Sequence, residues 1–274
     1  MKFKNGDCVY ITLVSGCNNN QCQIYKHCSS YFFKHSNHSG IKQIDITILN
    51  RILDDCLKNM DKISRIFINQ RGDSQVYEYA KDINVGDYPS RFVMSYTYPY
   101  PIDRFPSNIS KIYRVDTLKE VQALISLPDF WSREISKIYT IASKINISEI
   151  IDIIKLIKYV RERRTFSYVI SSLERIPSFR IEKNILEKLL KGSQFVEMKE
   201  APYSLCSNGL NFDINYMGKV GLHHNVDFGK DLIYYTTFQE VYDALTQQKK
   251  YAKEKEYCLR CLKEEEQKWM YVLI

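Results

Sequence analysis

Three cysteines near the amino terminus have the spacing of a metal-binding loop. Cys17, Cys22 and Cys28 lie in one polar stretch, with four residues between the first two and five between the last two. Three thiolates on one loop can hold three irons of a four-iron cluster and leave the fourth iron open to another ligand. Because His27 lies in the same stretch, a zinc site is the alternative that stays open.

A second group of metal-binding residue types lies near the carboxyl terminus. Cys258 and Cys261 form a Cys-x-x-Cys pair, and Cys206 precedes them in the same region. With His223 as the fourth ligand, these side chains predict a closed tetrahedral site for zinc or for iron–sulfur. The alternative is that His223 is a surface histidine and that the fourth position is open.

Two further cysteines have the positions of core residues. Cys8 opens an apolar, β-branched run that predicts a buried strand, and Cys56 lies on the apolar stripe of a predicted helix. Reduced cysteine behaves as a small hydrophobic residue and is often buried. We therefore expect both side chains to be buried among apolar neighbours and to bind no metal.

The elements that must position these groups alternate between strand and helix. Apolar runs predict strands at Cys8–Val14, Ile63–Ile68, Arg91–Tyr96, Lys111–Val115, Ile135–Ala142 and Thr165–Ile170. Apolar spacing of three and four residues, or a capping pattern, predicts helices at Ile48–Met60, Gln75–Ile83, Thr117–Ser126, Ser148–Val160 and Ile181–Leu190. This alternation predicts an α/β fold over residues 1–192, a partial (β/α)6 TIM-like barrel with its active edge at the carboxyl ends of the strands.

The alternation of strands and helices stops near Gly192, where a helix end favours a left-handed residue. Short strand candidates follow, Met217-Gly218 has the composition of a hairpin turn, and Thr237 with Glu240 has the spacing of a capping box before a Lys- and Glu-rich helix. We therefore place a boundary near residue 193 and predict a small α+β metal-binding domain over residues 193–274.

Composition and charge limit the class of protein. Hydrophobic residues make up 45% of the chain and charged residues 26%, as in ordinary globular proteins. Eight cysteines without a secretory signal or a bilayer-spanning apolar run favour metal binding in a cytoplasmic protein with no membrane partner. The net charge of +7 is spread along the chain, and the densest patch, Arg161, Arg163 and Arg164, follows a predicted helix whose dipole favours cations. We therefore expect no nucleic-acid partner.

A cysteine loop directly after the first strand of a six-unit strand–helix barrel resembles the radical S-adenosylmethionine (SAM) superfamily. The end of the chain resembles that superfamily's auxiliary-cluster extension, the SPASM or twitch domain. Cys206, Gly218, Cys258 and Cys261 match the pattern of the extension, and His223 stands where a further Cys is expected. The resemblance covers nearly the whole chain in the order of its elements, although both gaps in the first cysteine loop are longer than the family's Cys-x-x-x-Cys-x-x-Cys.

The resemblance implies two [4Fe-4S] clusters, one that binds SAM at the amino-terminal cysteines and one auxiliary, with zinc as the alternative at the second site. Gly72 and Asp73 occupy the place of the family segment that contacts the SAM amino group. Arg114 or Asp116, at the end of the fourth strand, would contact the ribose or carboxylate of SAM. A second interpretation of these two residues is a surface charge and a helix cap.

The function implied by the resemblance is that of a radical SAM enzyme. One electron delivered to the cluster would generate a 5′-deoxyadenosyl radical, which abstracts a hydrogen atom from the substrate. By analogy with enzymes that carry such extensions, we expect modification of a ribosomally synthesised peptide, with the precursor peptide and an electron-donor protein as partners. Two alternatives stay open: a non-catalytic binding protein stabilised by zinc or a cluster, and a radical SAM enzyme that modifies nucleic acid.

Overall fold

The structure, a computed structural model, describes residues 7–16, 40–68, 77–86, 93–97, 105–106, 108–132, 135–172, 180–199, 212–222, 232–254 and 269–273. Its strands are β1 Asp7–Ile11, β2 Ile63–Ile68, β3 Val93–Thr97, β4 Ser110–Arg114, β5 Ile135–Ala142, β6 Ser167–Ser172, β7 Phe195–Lys199, β8 Phe212–Ile214, β9 Lys219–Leu222, β10 Ile233–Tyr234 and β11 Trp269–Leu273. Its helices are α1 Ile46–Lys58, α2 Leu118–Ile125, α3 Ile150–Arg161, α4 Lys183–Leu190 and α5 Phe238–Glu254.

Strands β1 to β6 pair in parallel, in the order in which they occur in the chain. Parallel neighbours need crossover connections, which are almost always right-handed, so this order places the connecting helices on one face of the sheet. The described residues thus form a mixed α/β structure with a parallel sheet. A partial barrel requires this consecutive parallel order. Among the described residues, however, the sheet has two edge strands, β10 and β7, that do not pair with each other. The barrel therefore stays a prediction.

The strands after residue 192 extend the same sheet at both ends. β8 pairs in parallel with β1 and continues through the antiparallel strands β9 and β10, whereas β11 lies antiparallel between β6 and β7. Phe212 of β8 and Leu245 of α5 belong to the same apolar core as Val9 of β1. Described residues on the two sides of the predicted boundary thus share one core, and the boundary itself stays a prediction.

Two apolar cores lie between the sheet and its helices. The first joins β1, β2, β8 and β9 with α1 and α5, and the second joins β4, β5 and β6 with α2, α3 and α4. The apolar stripe of α1 that the sequence predicts is buried, and Asp45 caps this helix by accepting hydrogen bonds from the backbone N–H of Thr47 at 2.9 Å and of Ile48 at 3.2 Å. Hydrophobic spacing and a capping side chain thus define α1 locally.

The opposite face of the sheet carries a different set of side chains. Because successive residues of a strand point to opposite faces, Val9 and Ile11 pack into the first core and Tyr10 points away from it. The ring of Tyr10 stacks on that of Phe67 in β2, with ring centres 5.0 Å apart. Tyr10 is nevertheless buried, so the face without crossover helices is covered at this point.

Most of the predicted elements are present, with one clear exception. The segment predicted to be helical over Gln75–Ile83 contains, in its described part, a single 3₁₀ turn at Ala80–Asp82. Gly192 and Gly218 have the left-handed φ values of 85° and 70° expected of a helix end and a hairpin turn. No helix of the described part of the chain is long and apolar enough to cross a membrane.

Candidate functional site

The chain leaves the sheet after β1 and returns beside its own path. The backbone N–H of Ser15 donates to the carbonyl of Lys42 at 2.8 Å, and the N–H of Ile44 donates to the carbonyl of Leu13 at 2.8 Å. These hydrogen bonds hold the two ends of segment 17–39 side by side. The ends lie beyond the carboxyl end of β1, at the edge where the sequence predicts the active site.

The segment that follows β2 is attached to the same place. The hydroxyl of Tyr77 donates to the carbonyl of Ile44 at 3.1 Å, and the backbone N–H of Glu78 donates to the side-chain oxygen of Gln43 at 2.9 Å. Tyr77 is fully buried, and burial raises the pKa of its hydroxyl, which therefore keeps the proton that it donates. The returning end of segment 69–76 is thus fixed beside the returning end of segment 17–39.

Five predicted site residues lie in these two segments, outside the described residues: Cys17, Cys22, Cys28, Gly72 and Asp73. Their convergence therefore stays a prediction. The described chain fixes where both segments end, at neighbouring carboxyl ends of a parallel sheet.

Arg114 and Asp116 form a buried ion pair where β4 ends. The Arg114 Nε donates to Asp116 Oδ2 at 2.7 Å, a second guanidinium nitrogen lies 2.5 Å from the same oxygen, and the backbone N–H of Ile141 donates to Asp116 Oδ1 at 2.9 Å. Only 8% of Arg114 and 4% of Asp116 is exposed, so neither residue is a surface charge. The helix cap is Thr117 rather than Asp116.

The capping box of α2 is part of the same polar cluster. Glu120 accepts hydrogen bonds from the backbone N–H groups of Asp116 at 2.6 Å and Thr117 at 3.0 Å, and its own N–H donates to the Thr117 hydroxyl at 3.1 Å. This confirms the capping box predicted from Thr117 and Glu120. Burial first, and then the charge of Asp116, raise the pKa of Glu120.

Two residues that follow β5, neither of them predicted as a site residue, also belong to this cluster. The side-chain amide of Asn146 donates to the carbonyls of Asp116 at 2.7 Å and Ile141 at 2.9 Å. Glu149, one residue before α3, accepts from the backbone N–H of Leu118 at 2.7 Å. One feature of the sequence could have identified Asn146 and Glu149 as neighbours of Asp116. Both follow the predicted strand Ile135–Ala142, whose carboxyl end lies at the same edge as Asp116. The cluster fixes the ends of β4 and β5 against each other, so its main capacity is to position this edge.

The two described cysteines differ from each other. Cys56 is fully buried in the first core, as predicted, and burial raises the pKa of its thiol, which disfavours the thiolate that binds metals. Cys8 is only half-buried, and its sulfur lies 3.3 Å from the Ser64 hydroxyl oxygen. The prediction of an apolar core position is therefore wrong for Cys8, because its side chain lies on the opposite face of β1 from Val9.

The described strands closest in sequence to two predicted ligands of the second site are β8 and β9. β9 ends at Leu222, which pairs with Phe212, the first residue of β8. Because β8 runs parallel to β1, this end of the hairpin lies at the amino edge. His223 follows Leu222 directly in the sequence and Cys206 precedes Phe212 by six residues, and both lie outside the described residues.

The remaining two predicted ligands of that site, Cys258 and Cys261, also lie outside the described residues, so the four-ligand site stays a prediction. Within the ranges that the structure describes, no group of three or more His, Cys, Asp or Glu side chains is arranged to hold a metal ion. No protein-family model, curated protein or solved structure matches this chain.

Proposed function

We propose that this chain is a cytoplasmic iron–sulfur enzyme of the radical SAM type that modifies a ribosomally synthesised peptide. One observation carries the proposal: the segments that contain the cysteine loop and the Gly72-Asp73 pair return to one place at the carboxyl edge. Tyr77 joins their ends through its hydrogen bond to Ile44. In parallel α/β sheets this edge is where ligands bind and catalytic residues gather.

Each residue proposed for this edge has its own role. Cys17, Cys22 and Cys28 would hold a cluster, and Asp73 would accept a hydrogen bond from the amino group of SAM. When bound, the cluster would supply one electron that breaks the S–C5′ bond of SAM, giving methionine and the 5′-deoxyadenosyl group that abstracts hydrogen from the substrate. Asp116 has internal partners for both carboxylate oxygens. We therefore propose that it acts with Arg114 to position the edge around SAM.

The second site is proposed to hold an auxiliary cluster or zinc on Cys206, His223, Cys258 and Cys261. His223 and Cys206 flank the amino end of the β8–β9 hairpin in sequence, which supports their pairing. This edge is opposite to the one that Gly16 approaches. A metal there would be separate from the first site, with a structural or electron-transfer part rather than a share in SAM binding.

Anaerobic purification with iron and sulfide quantification tests the proposal. A cluster-bearing chain absorbs at about 400 nm and contains iron and acid-labile sulfide in about equal amounts. Alanine at Cys17, Cys22 or Cys28 should lower the iron content by about four per chain. Cys56→Ala is the matched control and should leave the iron content unchanged. Zinc without the absorbance would favour the non-catalytic binding protein.

Turnover is tested separately on the reconstituted protein. With a strong reductant and SAM, the chain should release 5′-deoxyadenosine, and Asp73→Asn should weaken SAM binding while leaving the iron content unchanged. For the second site, His223→Ala should lower its metal content and His223→Cys should restore it, since either residue type can complete a tetrahedral site. A cluster that forms but never cleaves SAM would contradict the enzyme proposal.

A further inference from the structure

The arginines that follow α3 do more than complement its dipole. Arg161 lies in the last helical turn, as expected for that role, but Arg163 and Arg164 lie beyond the helix end. The guanidinium carbon of Arg163 lies 4.5 Å from the ring centre of Tyr159, and that of Arg164 lies 5.2 Å from the ring centre of Phe130. Both distances fit stacked cation–π contacts.

Two aromatic side chains beside these arginines are open to solvent. Trp131 is 49% exposed and Tyr159 is 47% exposed. Trp131 packs edge-on against Phe130, with ring centres 5.0 Å apart, and Phe130 is itself buried in the second core. Phe130 therefore links the arginines that follow α3 to the turn that carries Trp131. We define the aromatic–arginine surface as Trp131, Tyr159, Arg161, Arg163 and Arg164.

We propose that the aromatic–arginine surface binds single-stranded nucleic acid. Unpaired bases stack on exposed aromatic rings, while exposed guanidinium groups, here that of Arg163, contact phosphates. An acidic peptide would use the charges but would leave the solvent-exposed parts of the Trp131 and Tyr159 rings uncovered. Those exposed faces are the reason for choosing nucleic acid over an acidic peptide.

The charge of the surface is positive but small. Its three arginines and Lys158 of the last helical turn supply four positive charges, against Glu162 and Asp129 nearby. The whole chain, these groups included, has a net charge of +7. We therefore expect binding at moderate salt that weakens as salt rises, by a factor that reports one or a few phosphate contacts.

The surface lies away from the proposed cluster site. The turn that holds Trp131 precedes β5, and the end of α3 precedes β6, so both lie at the amino edge of the parallel sheet. The proposed SAM-binding cluster site lies at the carboxyl edge, and the second proposed site is next to the β8–β9 hairpin, which four strands separate from β5 in the sheet. The inference therefore stands independently of the proposed function, and binding can be tested on protein without metal.

Tryptophan fluorescence gives a direct test, because the chain has only two tryptophans. Titration with a 12-nucleotide oligouridylate should quench the fluorescence of the wild type. Trp131→Leu, which keeps an apolar contact with Phe130, should abolish the quenching although Trp269 remains. Fluorescence anisotropy of labelled oligouridylate should show binding weakened about 5-fold or more by Trp131→Leu and by Tyr159→Leu, the usual effect of losing one stacked base.

Arg163→Gln separates the phosphate contacts from stacking. It should reduce the slope of log K against log salt by about 0.7, the value for one phosphate contact to a single strand. Lys188→Gln removes an exposed charge on α4 and is the matched control, which should leave affinity and slope unchanged. Thermal melting of each variant separates lost binding from lost folding.

Three results would overturn the proposal. The first is no quenching of Trp131 at saturating oligouridylate. The second is equal loss of affinity in Lys188→Gln and Arg163→Gln, which would show attraction by net charge alone. The third is that polyglutamate of the same length binds as tightly as the oligonucleotide and competes with it, which would identify the surface as a site for acidic peptides.

Discussion

Asp116→Asn removes one charge from the buried ion pair at the end of β4 and changes the side-chain shape very little. In the wild type, Oδ2 accepts from Arg114 and Oδ1 accepts from the backbone N–H of Ile141. Asparagine has one acceptor oxygen, so one of these two donors loses its partner. The amide group that replaces the other oxygen donates hydrogen bonds and therefore repels whichever donor it faces.

The cost follows from burial. The side chains of Arg114 and Asp116 are 10% and 5% exposed, so the guanidinium of the variant loses the charge of Asp116 in a poorly solvated place. Removing one partner of a buried ion pair costs about 3–5 kcal/mol. Because asparagine keeps one acceptor, we expect the free energy of unfolding to fall by about 3 kcal/mol. That is a large part of the 5–15 kcal/mol typical of whole domains.

Urea denaturation followed by circular dichroism measures this change, and a double-mutant cycle with Arg114→Met isolates the pair. We expect a coupling energy of about 2–3 kcal/mol, since the double variant no longer buries an arginine charge that has lost Asp116. The exposed pair Lys155–Asp152, whose side chains are 71% and 58% exposed at a distance of 3.0 Å, is the control. Its coupling should lie below about 1 kcal/mol. Equal couplings for the two pairs would refute the burial argument.

Three further predictions concern single sites. Because the pKa of Glu120 is raised, the folded state binds the carboxyl proton more tightly than the unfolded state. Protonated Glu120 therefore stabilises the fold at low pH, and this stabilisation is lost as pH rises through the pKa of the folded state. Glu120→Gln should therefore gain stability relative to the wild type as pH rises above the ordinary glutamate pKa of 4.5, and a constant difference in urea midpoints would contradict this. Cys56→Ala should cost about 1–2 kcal/mol for the small cavity, and the wild-type thiol should resist alkylation until the protein unfolds. Gly218→Ala should cost about 1–2 kcal/mol in thermal melts because its φ is 70°, and an unchanged melting temperature would show that the turn rearranges.

The sequence predicted those elements whose signals are local. β5 has the predicted bounds, Ile135–Ala142, because apolar and polar residues alternate through it, and α2 begins where Thr117 and Glu120 form a capping box. The helix predicted over Gln75–Ile83 had apolar spacing but no cap, and among its described residues only a 3₁₀ turn forms. There Tyr77 is directed by a tertiary hydrogen bond to Ile44 rather than by helical neighbours.

What the sequence did not predict depends on pairing between distant segments. β11 was missed because its placement between β6 and β7 depends on antiparallel partners far away in the chain. Lys111 is fully buried in β4, where its ammonium group lies 5.1 Å from the Phe105 ring centre and donates to the Pro106 carbonyl at 3.3 Å. A lysine in a strand predicts an exposed side chain, and only the tertiary neighbours explain the exception.

The long gaps in the first cysteine loop add little to the free-energy cost of cluster binding. Closing a loop costs free energy that grows as 1.5RT times the logarithm of its length. Going from three to four residues between Cys17 and Cys22 then adds about 0.3 kcal/mol, and going from two to five between Cys22 and Cys28 adds about 0.8 kcal/mol. Structural metal sites contribute about 10–16 kcal/mol, so this extra cost is a small fraction of the binding energy.

The larger entropic cost for such a loop is that of bringing its two ends together. The described hydrogen bonds of Ser15 to Lys42 and of Ile44 to Leu13 already meet that cost without a metal. The spacing is therefore no physical reason to reject Cys17, Cys22 and Cys28 as ligands. Their iron content, compared with that of the Cys56→Ala control, decides the question.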